Sequence, residues 1–527
     1  MSRPPALRTG PSLLRLCPLL VACGVGLLSY EFYGKSQLQG MGDTCDYAAM
    51  GRNLADGRGF TTSVVYPLQL SMETGVPHAE PFDPRGVPNL HRPPLLPLWY
   101  AGVFRLVGCR DSGVLGTSFL FYAGVLGLVL GWKRKSWPIR VGVACLASLY
   151  PPLVRHAASG LTETPAAFLC LVLSLVLLSK KRNLWAPLFS GAVIGLLFLL
   201  KYYLILLVPA AVVLVWPEGR QRHRWPFLGL LFLGWFVVAA PWLWRNYRVA
   251  GDPFFTLQAY CEIAKGIPGY EAFRAHRGWT PVDTPSFAAQ NPGALLRKSL
   301  GAWVVWLRSD WGTNFLPLLV GCGLWWSWRK DPSKATERAV LLFWSVATIS
   351  LVALLAPVNL EPRYLLCTQL PLLILPMVWF AEKQPLGGSG QDPGDPRSSA
   401  HTRRFLAGTL MYFVLVNGIS MWRAPEATDR REDAAFVAER VPEDGLLVSD
   451  ADGFVAWRVD RPVVWLPSDE ETLEKVLDRF PVRAVYLQEG IQSQFFQHYR
   501  SPENVLEYLG RRYARSERTP CRGRMFY

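Results

Sequence analysis

Apolar residues come in runs of roughly 14–20 along most of this chain, near the ~20 that a helix needs to cross a bilayer. The first follows Arg3, Arg8 and Arg15 and reaches about Tyr30. Later runs fall near 94–109, 113–131, 138–152, 163–179, 184–200, 203–216, 225–244, 314–328, 338–357, 363–381 and 405–421. Polar segments separate them. The pattern predicts a polytopic α-helical membrane protein with about 11–13 membrane helices, a long first outer loop and a small C-terminal α/β domain.

Three segments break the pattern. Residues 34–93 form the first outer loop, in which Asp46 to Asp56 reads as a short helix with Tyr47, Met50 and Leu54 on one face, stopped by Gly57 and Gly59. The outer loop 245–313 holds an amphipathic stretch near 293–308, suited to the membrane surface. Residues 383–402 are rich in Gly, Pro, Ser and charge and read as a flexible cytoplasmic linker within the transmembrane domain, 1–421, which is followed by a small soluble domain on the outer side, 428–527. In that last part Leu446–Val448, Pro462–Leu466 and Arg483–Leu487 read as strands, and 430–440 and 469–479 as helices. That alternation predicts a small α/β fold.

The links between runs set the orientation. Lys180-Lys181-Arg182, the Arg220/Arg222/Arg224 link, Arg329-Lys330 with Lys334 and Arg338, and Arg403-Arg404 belong on the cytoplasmic side. The first run lacks a small-residue cleavage site and reads as an uncleaved anchor. Lys133-Arg134-Lys135 conflicts with this scheme if both 94–109 and 113–131 cross, so the short, Pro-rich 94–109 is expected not to cross fully.

The formal charge of +15 sits mostly in these links, and no basic face with interleaved aromatics lies outside the membrane part, which argues against nucleic-acid binding. Six of the ten cysteines lie within apolar runs as small hydrophobes, and the seven histidines are scattered, so no metal-ligand pattern is legible. No cofactor is implied.

Candidate chemistry gathers at the outer edge. Asp43 and Asp46 begin the short helix, where either serves as an N-cap and leaves the other free. Glu163, after Ser159-Gly160-Leu161-Thr162, favours a helix dipole, but a carboxylate at the edge of an apolar run also needs a partner or a wet cavity. Arg92, Lys201, Arg245 and Arg363 lie on the side that the positive-inside rule disfavours. Singly they are snorkelling anchors; together with the acids they suit an anionic lipid headgroup, because the planar Arg fork matches phosphate oxygens.

With these residues in place the chain resembles the GT-C class of glycosyltransferases that use polyprenyl-phosphate sugars, nearest the protein O-mannosyltransferase-like and aminoarabinose-transferase-like group. The resemblance rests on Asp43 with Tyr47, Gly51-x-Asn53-Leu54-Ala55-x-Gly57-x-Gly59-Phe60, Arg92-Pro93-Pro94, Thr162-Glu163, Lys201, Pro241-Trp242 through Arg245-Asn246-Tyr247, and Arg363-Tyr364. It implies transfer of a sugar from a polyprenyl-phosphate donor to a hydroxyl acceptor (lipid, glycan or protein) with inversion, at the periplasmic face of a bacterial inner membrane. Asp43 would be the general base, with Asp46 as a one-turn alternative and Glu163 orienting acceptor or sugar. Arg245 and Lys201 would neutralise the leaving phosphate, with Arg92 and Arg363 as weaker candidates, and Tyr47, Asn246 and Tyr364 would position substrate. The pattern departs where Thr44 replaces the second acid that often follows the first, and the lack of an Asp-x-Asp pair in the first loop favours a metal-independent site. Rival readings are a transporter or flippase of lipid-linked sugars and a non-catalytic membrane scaffold.

Overall fold

The computed structural model describes residues 11–35, 38, 43–72, 82–132, 137–179, 185–211, 214, 224–271, 273–309, 315–328, 331–382, 396–423, 430–488 and 502–527. Most of the chain is helical. Among the described residues three helices are long and apolar enough to cross a membrane: Asp111–Leu130, Trp225–Ala250 and Ala335–Leu355. Shorter apolar helices include Leu20–Gly34, Leu95–Val107, Glu163–Leu177 and Trp185–Leu200. The 185–200 and 224–250 helices pack closely through glycine: a Cβ at Gly191 would lie 1.9 Å from the Leu231 carbonyl, and one at Gly234 2.1 Å from that of Leu188.

On one side of this body lies a six-stranded sheet of order β1-β3-β2-β4-β6-β5. Its strands are β1 (Val64–Val65), β2 (Leu446–Ser449), β3 (Val463–Trp465), β4 (Val482–Leu487), β5 (Ser516–Arg518) and β6 (Arg524–Phe526). The first four pair in parallel and the last two add antiparallel. The central strands are continuous apolar runs because both their faces are covered. One edge strand comes from the first outer loop, since Val64 and Val65 pair with Val463 and Val464. The sheet is therefore shared between two distant parts of the chain, which the sequence reading of a self-contained tail missed. Buried Asp433 ties the antiparallel corner, accepting from Tyr486 Oη (2.7 Å), Thr519 Oγ1 (2.8 Å) and the Cys521 amide (2.7 Å).

Several boundaries differ from expectation. The first-loop helix is Asp43–Ala55, so Asp43 sits in its first turn. The 224–250 helix runs past 244 and carries Arg245, Asn246 and Tyr247 on its last turns, not in a loop. The run expected over 203–216 is broken into a 3-10 turn, Tyr202–Leu206, and a short helix, Leu207–Ala210. Of the expected linker, 383–395 lies outside the described residues, while 396–402 begins the long helix Pro396–Trp422. The Lys133-Arg134-Lys135 and Lys180-Lys181-Arg182 links also lie outside the described residues.

The Leu95–Val107 helix has thirteen residues, about 20 Å at ~1.5 Å per residue, short of the ~30 Å hydrocarbon thickness. Both its ends touch the sheet layer. Before its start, the His91 ring packs on Tyr66 (4.6 Å), which packs on Trp465 (5.7 Å). At its end Phe104 stacks on Trp457 (5.6 Å), and Trp457 Nε1 donates to Asp111 Oδ1 (2.9 Å).

Candidate active site

The site is built where the Asp43 helix meets the 156–164 loop, the Asn89–Arg92 turn and the Glu361–Tyr364 turn. The helix is pinned on two sides. Thr44 Oγ1 donates to the Ser159 carbonyl (2.9 Å), and Tyr100 Oη donates to the Gly160 carbonyl. Gly160 has φ +73°, and a Cβ there would lie 2.5 Å from Thr44 Cγ2, so only glycine permits this approach. At the other end Arg52 donates to the carbonyls of Ala456 (2.6 Å) and Trp457 (3.1 Å) and pairs with Asp460 (2.7 Å). The sheet layer thereby grips the helix that carries the acids.

Asp43 is held from both oxygens: Arg92 Nη2 donates to Oδ1 (2.7 Å) and Arg363 Nη2 to Oδ2 (2.9 Å). Burial pushes its pKa up, but the two guanidiniums outweigh that and hold the carboxyl well below the ordinary range. One turn on, Asp46 Oδ2 accepts from Arg92 Nε (2.8 Å), while Oδ1 is buried with no hydrogen-bond partner among the described residues. Burial dominates there and lifts the Asp46 carboxyl above its usual value despite Arg92. Arg92 is aimed by its own backbone: the Asn89 side chain accepts from the Arg92 amide (2.9 Å) and donates to its carbonyl (2.7 Å). The Arg92 guanidinium also lies over the Tyr47 ring, 5.4 Å from its centroid.

Glu163 is buried. Its Oε1 accepts from Lys201 Nζ (2.9 Å) and lies 3.8 Å from Arg363 Nε, and its Oε2 has no partner among the described residues. Lys201 sits over the Tyr364 ring (4.8 Å) and near that of Tyr203 (5.6 Å). Arg363 Nε donates to Glu361 Oε2 (2.6 Å), and Lys265 lies 3.6 Å from Glu361 Oε1. The result is one connected array of acids and cations. An uncompensated buried charge would be costly, so each acid here recruits a cation. Two carboxylate oxygens of the array, one on Asp46 and one on Glu163, are thus buried and unpaired among the described residues.

Of the residues singled out from sequence, the structure brings together Asp43, Asp46, Glu163, Arg92, Lys201, Arg363, Tyr47 and Tyr364. It does not bring Arg245 and Asn246 into that array. Arg245 donates to the backbone carbonyls of Asn89 (2.7 Å) and Phe60 (3.3 Å), and lies over Trp242 (4.7 Å). Among the described residues it pairs with no carboxylate. Asn246 accepts from Arg245 (3.1 Å) and donates to the Phe255 carbonyl (3.3 Å). Both brace the outer loops, apart from the array that holds Arg92 and Arg363. The reason is register: Arg245 stands on a helix extended beyond its expected end.

Sequence reading missed Glu361, which partners Arg363 from two residues away, and the pair Asp450 and Asp452. Those two follow β2 in Ser449-Asp450-Ala451-Asp452-Gly453, at the carboxyl edge of the parallel strands. Burial lifts the Asp450 carboxyl to about 6 and that of Asp452 to about 7, the latter with Asp46 as a repelling neighbour. Their signal was the acid-small-acid-Gly run after a strand. Among the described residues no three His, Cys, Asp or Glu side chains come together as a metal site.

A family model described as dolichyl-phosphate-mannose-protein mannosyltransferase matches residues 91–244, which carry Arg92, Glu163 and Lys201. No curated protein matches the chain in sequence. Among solved structures, ArnT from Cupriavidus metallidurans bound to undecaprenyl phosphate superposes with a TM-score of 0.59 at 13% identity, over 98% of both chains. The apo form of that protein gives 0.54 at 15% identity, over 97% of both. The archaeal oligosaccharyltransferase AglB from Archaeoglobus fulgidus, in complex with an inhibitory peptide and a dolichol-phosphate, gives 0.55 at 12% identity, over 90% of this chain and 70% of that one. The resemblance read from the residues is thereby met in fold over nearly the whole length and in sequence over 91–244: this chain has the fold of the GT-C glycosyltransferases and resembles their polyprenyl-phosphate-sugar-dependent members.

Proposed function

We propose that the protein is a multi-pass membrane glycosyltransferase that moves a sugar from a polyprenyl-phosphate donor to a hydroxyl acceptor with inversion. The observation that carries this reading is the array in which Arg92 and Arg363 share Asp43 while Lys201 and Arg363 face Glu163. Three cations converge on a place where two carboxylate oxygens lack partners. A lipid phosphate enters among Arg92, Lys201 and Arg363 and competes with the carboxylates for them. Asp43 then loses its cationic partners, and its basicity rises toward what proton abstraction needs. The acceptor oxygen bonds to the anomeric carbon as the bond from that carbon to the phosphate oxygen breaks. Asp43 takes the hydroxyl proton, and the lipid phosphate leaves on the cations, which offset its charge. Tyr47 and Tyr364 hold Arg92 and Lys201 in position, and Glu163, once Lys201 turns to the phosphate, orients the sugar or acceptor.

The same reading gives a topology. The Leu95–Val107 helix, whose two ends pack on the sheet layer, is assigned to the outer layer, and the apolar segments beginning at residues 11, 111, 137, 163, 185, 202, 224, 316, 335, 366 and 396 are assigned as eleven crossings. Starting in the cytoplasm, this count puts every basic link inside, Lys133-Arg134-Lys135 included, and the sheet outside. In a bacterial inner membrane the site then faces the periplasm.

The test is release of lipid phosphate from a panel of polyprenyl-phosphate sugars by purified protein in nanodiscs, comparing wild type with Asp43→Asn and Asp46→Asn. Release by wild type, lost in Asp43→Asn with donor still bound, is expected. Loss only in Asp46→Asn moves the base one turn on. No release from any donor and acceptor combination sinks the reading.

A further inference from the structure

The outer-loop helix Pro292–Arg308 buries one side and leaves the other bare. Leu295 and Trp306 are buried. Leu296, Leu300, Val304 and Leu307, spaced so that they share one helix face, stand exposed, Leu296 at 61% and Leu300 at 58%. Arg297 and Arg308 are exposed along one flank of that stripe, and the helix carries no acid. An apolar stripe edged by cations is the pattern of a helix lying in the plane of a lipid interface. The tether agrees. Arg308 stands eight positions before Leu316, where the next apolar helix begins, at most about 28 Å of extended chain.

The opposite side of the same helix reaches toward the charged array. Lys298 Nζ donates to the carbonyls of Ile263 (2.9 Å) and Glu262 (3.4 Å). Those carbonyls belong to a segment that touches both turns bearing cations of the site. At one end the Leu257 amide donates to the carbonyl of Leu90 (2.9 Å), two residues before Arg92. At the other, Lys265 lies 3.6 Å from Glu361, which accepts from Arg363 (2.6 Å). Glu361 and Asp43 thus share Arg363. With Lys265 in place Glu361 has a second cation. Without it Glu361 draws on Arg363 alone, in competition with Asp43 or an incoming phosphate.

We infer that the Pro292–Arg308 helix docks on a membrane leaflet bearing anionic lipid, and that this contact, passed on through Lys298 and the 257–265 segment, positions Arg92 and Arg363 for the donor phosphate. The occupant of the stripe is a lipid surface and not a second copy of the chain, because cations border the stripe and the tether holds it at the membrane edge. The inference rests on the transferase reading above. Lys298 and Lys265 are positioning residues in this scheme: they act on the phosphate through Arg363 and do not touch it.

Two readouts in nanodiscs containing phosphatidylglycerol test this. The first is photo-crosslinking from a benzoylphenylalanine placed at position 300. A lipid adduct is expected. A covalent dimer, or no adduct because the stripe faces water, overturns the docking surface. The second readout is affinity for sugar-free polyprenyl phosphate. Leu300→Glu is expected to weaken it by at least about fivefold, the low end of coupling between linked sites, and Leu300→Met to keep it. Lys298→Met is expected to weaken it by a similar factor while the lipid adduct from position 300 persists, which a folding defect would not allow. In the double variant Leu300→Glu/Lys298→Met the two losses should not add, because both cut one chain of contacts. Additive losses, or unchanged affinity in Leu300→Glu, overturn the coupling. Exchanging phosphatidylglycerol for phosphatidylcholine should lower the affinity of wild type and leave that of Arg297→Gln/Arg308→Gln unmoved; an equal drop in both overturns the part assigned to the cations. A wild type that gives the lipid adduct but binds no polyprenyl phosphate overturns the transferase reading, and the coupling with it, while the docking surface stands.

Discussion

Two sets of carboxylates meet at the seam between the helical body and the sheet, and they are treated in opposite ways. Asp43 and Glu163 each have cations within hydrogen-bond reach, and the guanidiniums keep Asp43 ionised. Asp450 and Asp452 are as buried, yet make no ion pair among the described residues; the Asp450 side chain accepts from the backbone amide of Gln488 (3.0 Å). Charge is conserved in the first set and discouraged in the second. In the proposed reading the first is a place prepared for an anion, because its cations can exchange one anionic partner for another. It leaves the second as protonatable groups at the carboxyl edge of the sheet, where they can change the charge next to Asp46 as pH changes.

The largest expected effect breaks the first set at its base. Asp43→Asn should lower transfer by about 10²–10⁴-fold, the usual contribution of a positioned base, measured as turnover at saturating donor. Next, Lys201→Met leaves Glu163 buried without its nearest cation, and removing one partner of such a pair typically costs about 3–5 kcal/mol. Thermal unfolding in nanodiscs should show that loss, and the double variant Lys201→Met/Glu163→Gln should recover most of the stability while staying inactive. Recovery of activity as well would reduce the pair to scaffolding.

A smaller effect sharpens the second set. The Asp452 carboxyl is lifted to about 7, so the fold favours its protonated form. The stability this lends is complete below the ordinary carboxylate range and is lost as pH rises toward about 7. Asp452→Asn should therefore flatten the fall in melting temperature between about pH 5 and pH 8. Asp43 has the opposite sign: its depressed value lends stability above the ordinary carboxylate range, lost as pH falls through it. A steeper fall in the Asp452 variant would contradict the assignment of signs.

How much of this was legible beforehand depends on the range over which each feature is encoded. The acids, Arg92, Lys201 and Arg363 could be picked out because a charge at the edge of an apolar run is locally anomalous. The α/β character of the tail was visible in strands and helices a few residues long. The β1 edge strand was not, since Val64–Val65 is two residues long and its partner lies about four hundred positions away. The bonding of Arg245 was hidden for a related reason. Its cation is anomalous in sequence, but only the fold reveals that backbone carbonyls of Asn89 and Phe60 already occupy it. Asp450 and Asp452 were not legible because acids after a strand usually belong to a solvated turn, whereas the Asp452–Phe454 turn packs against the distant first-loop helix.

The central claim is that the Asp43 array, not the Arg245 brace, receives the lipid phosphate. The most direct test is the affinity for sugar-free polyprenyl phosphate, measured by native mass spectrometry on wild type, Lys201→Met, Arg363→Gln and Arg245→Gln. The account predicts that Lys201→Met and Arg363→Gln each weaken binding by about tenfold or more, as expected for a lost charge-assisted contact, with Arg245→Gln close to wild type. Undiminished binding in the first two, with loss in Arg245→Gln, would contradict it.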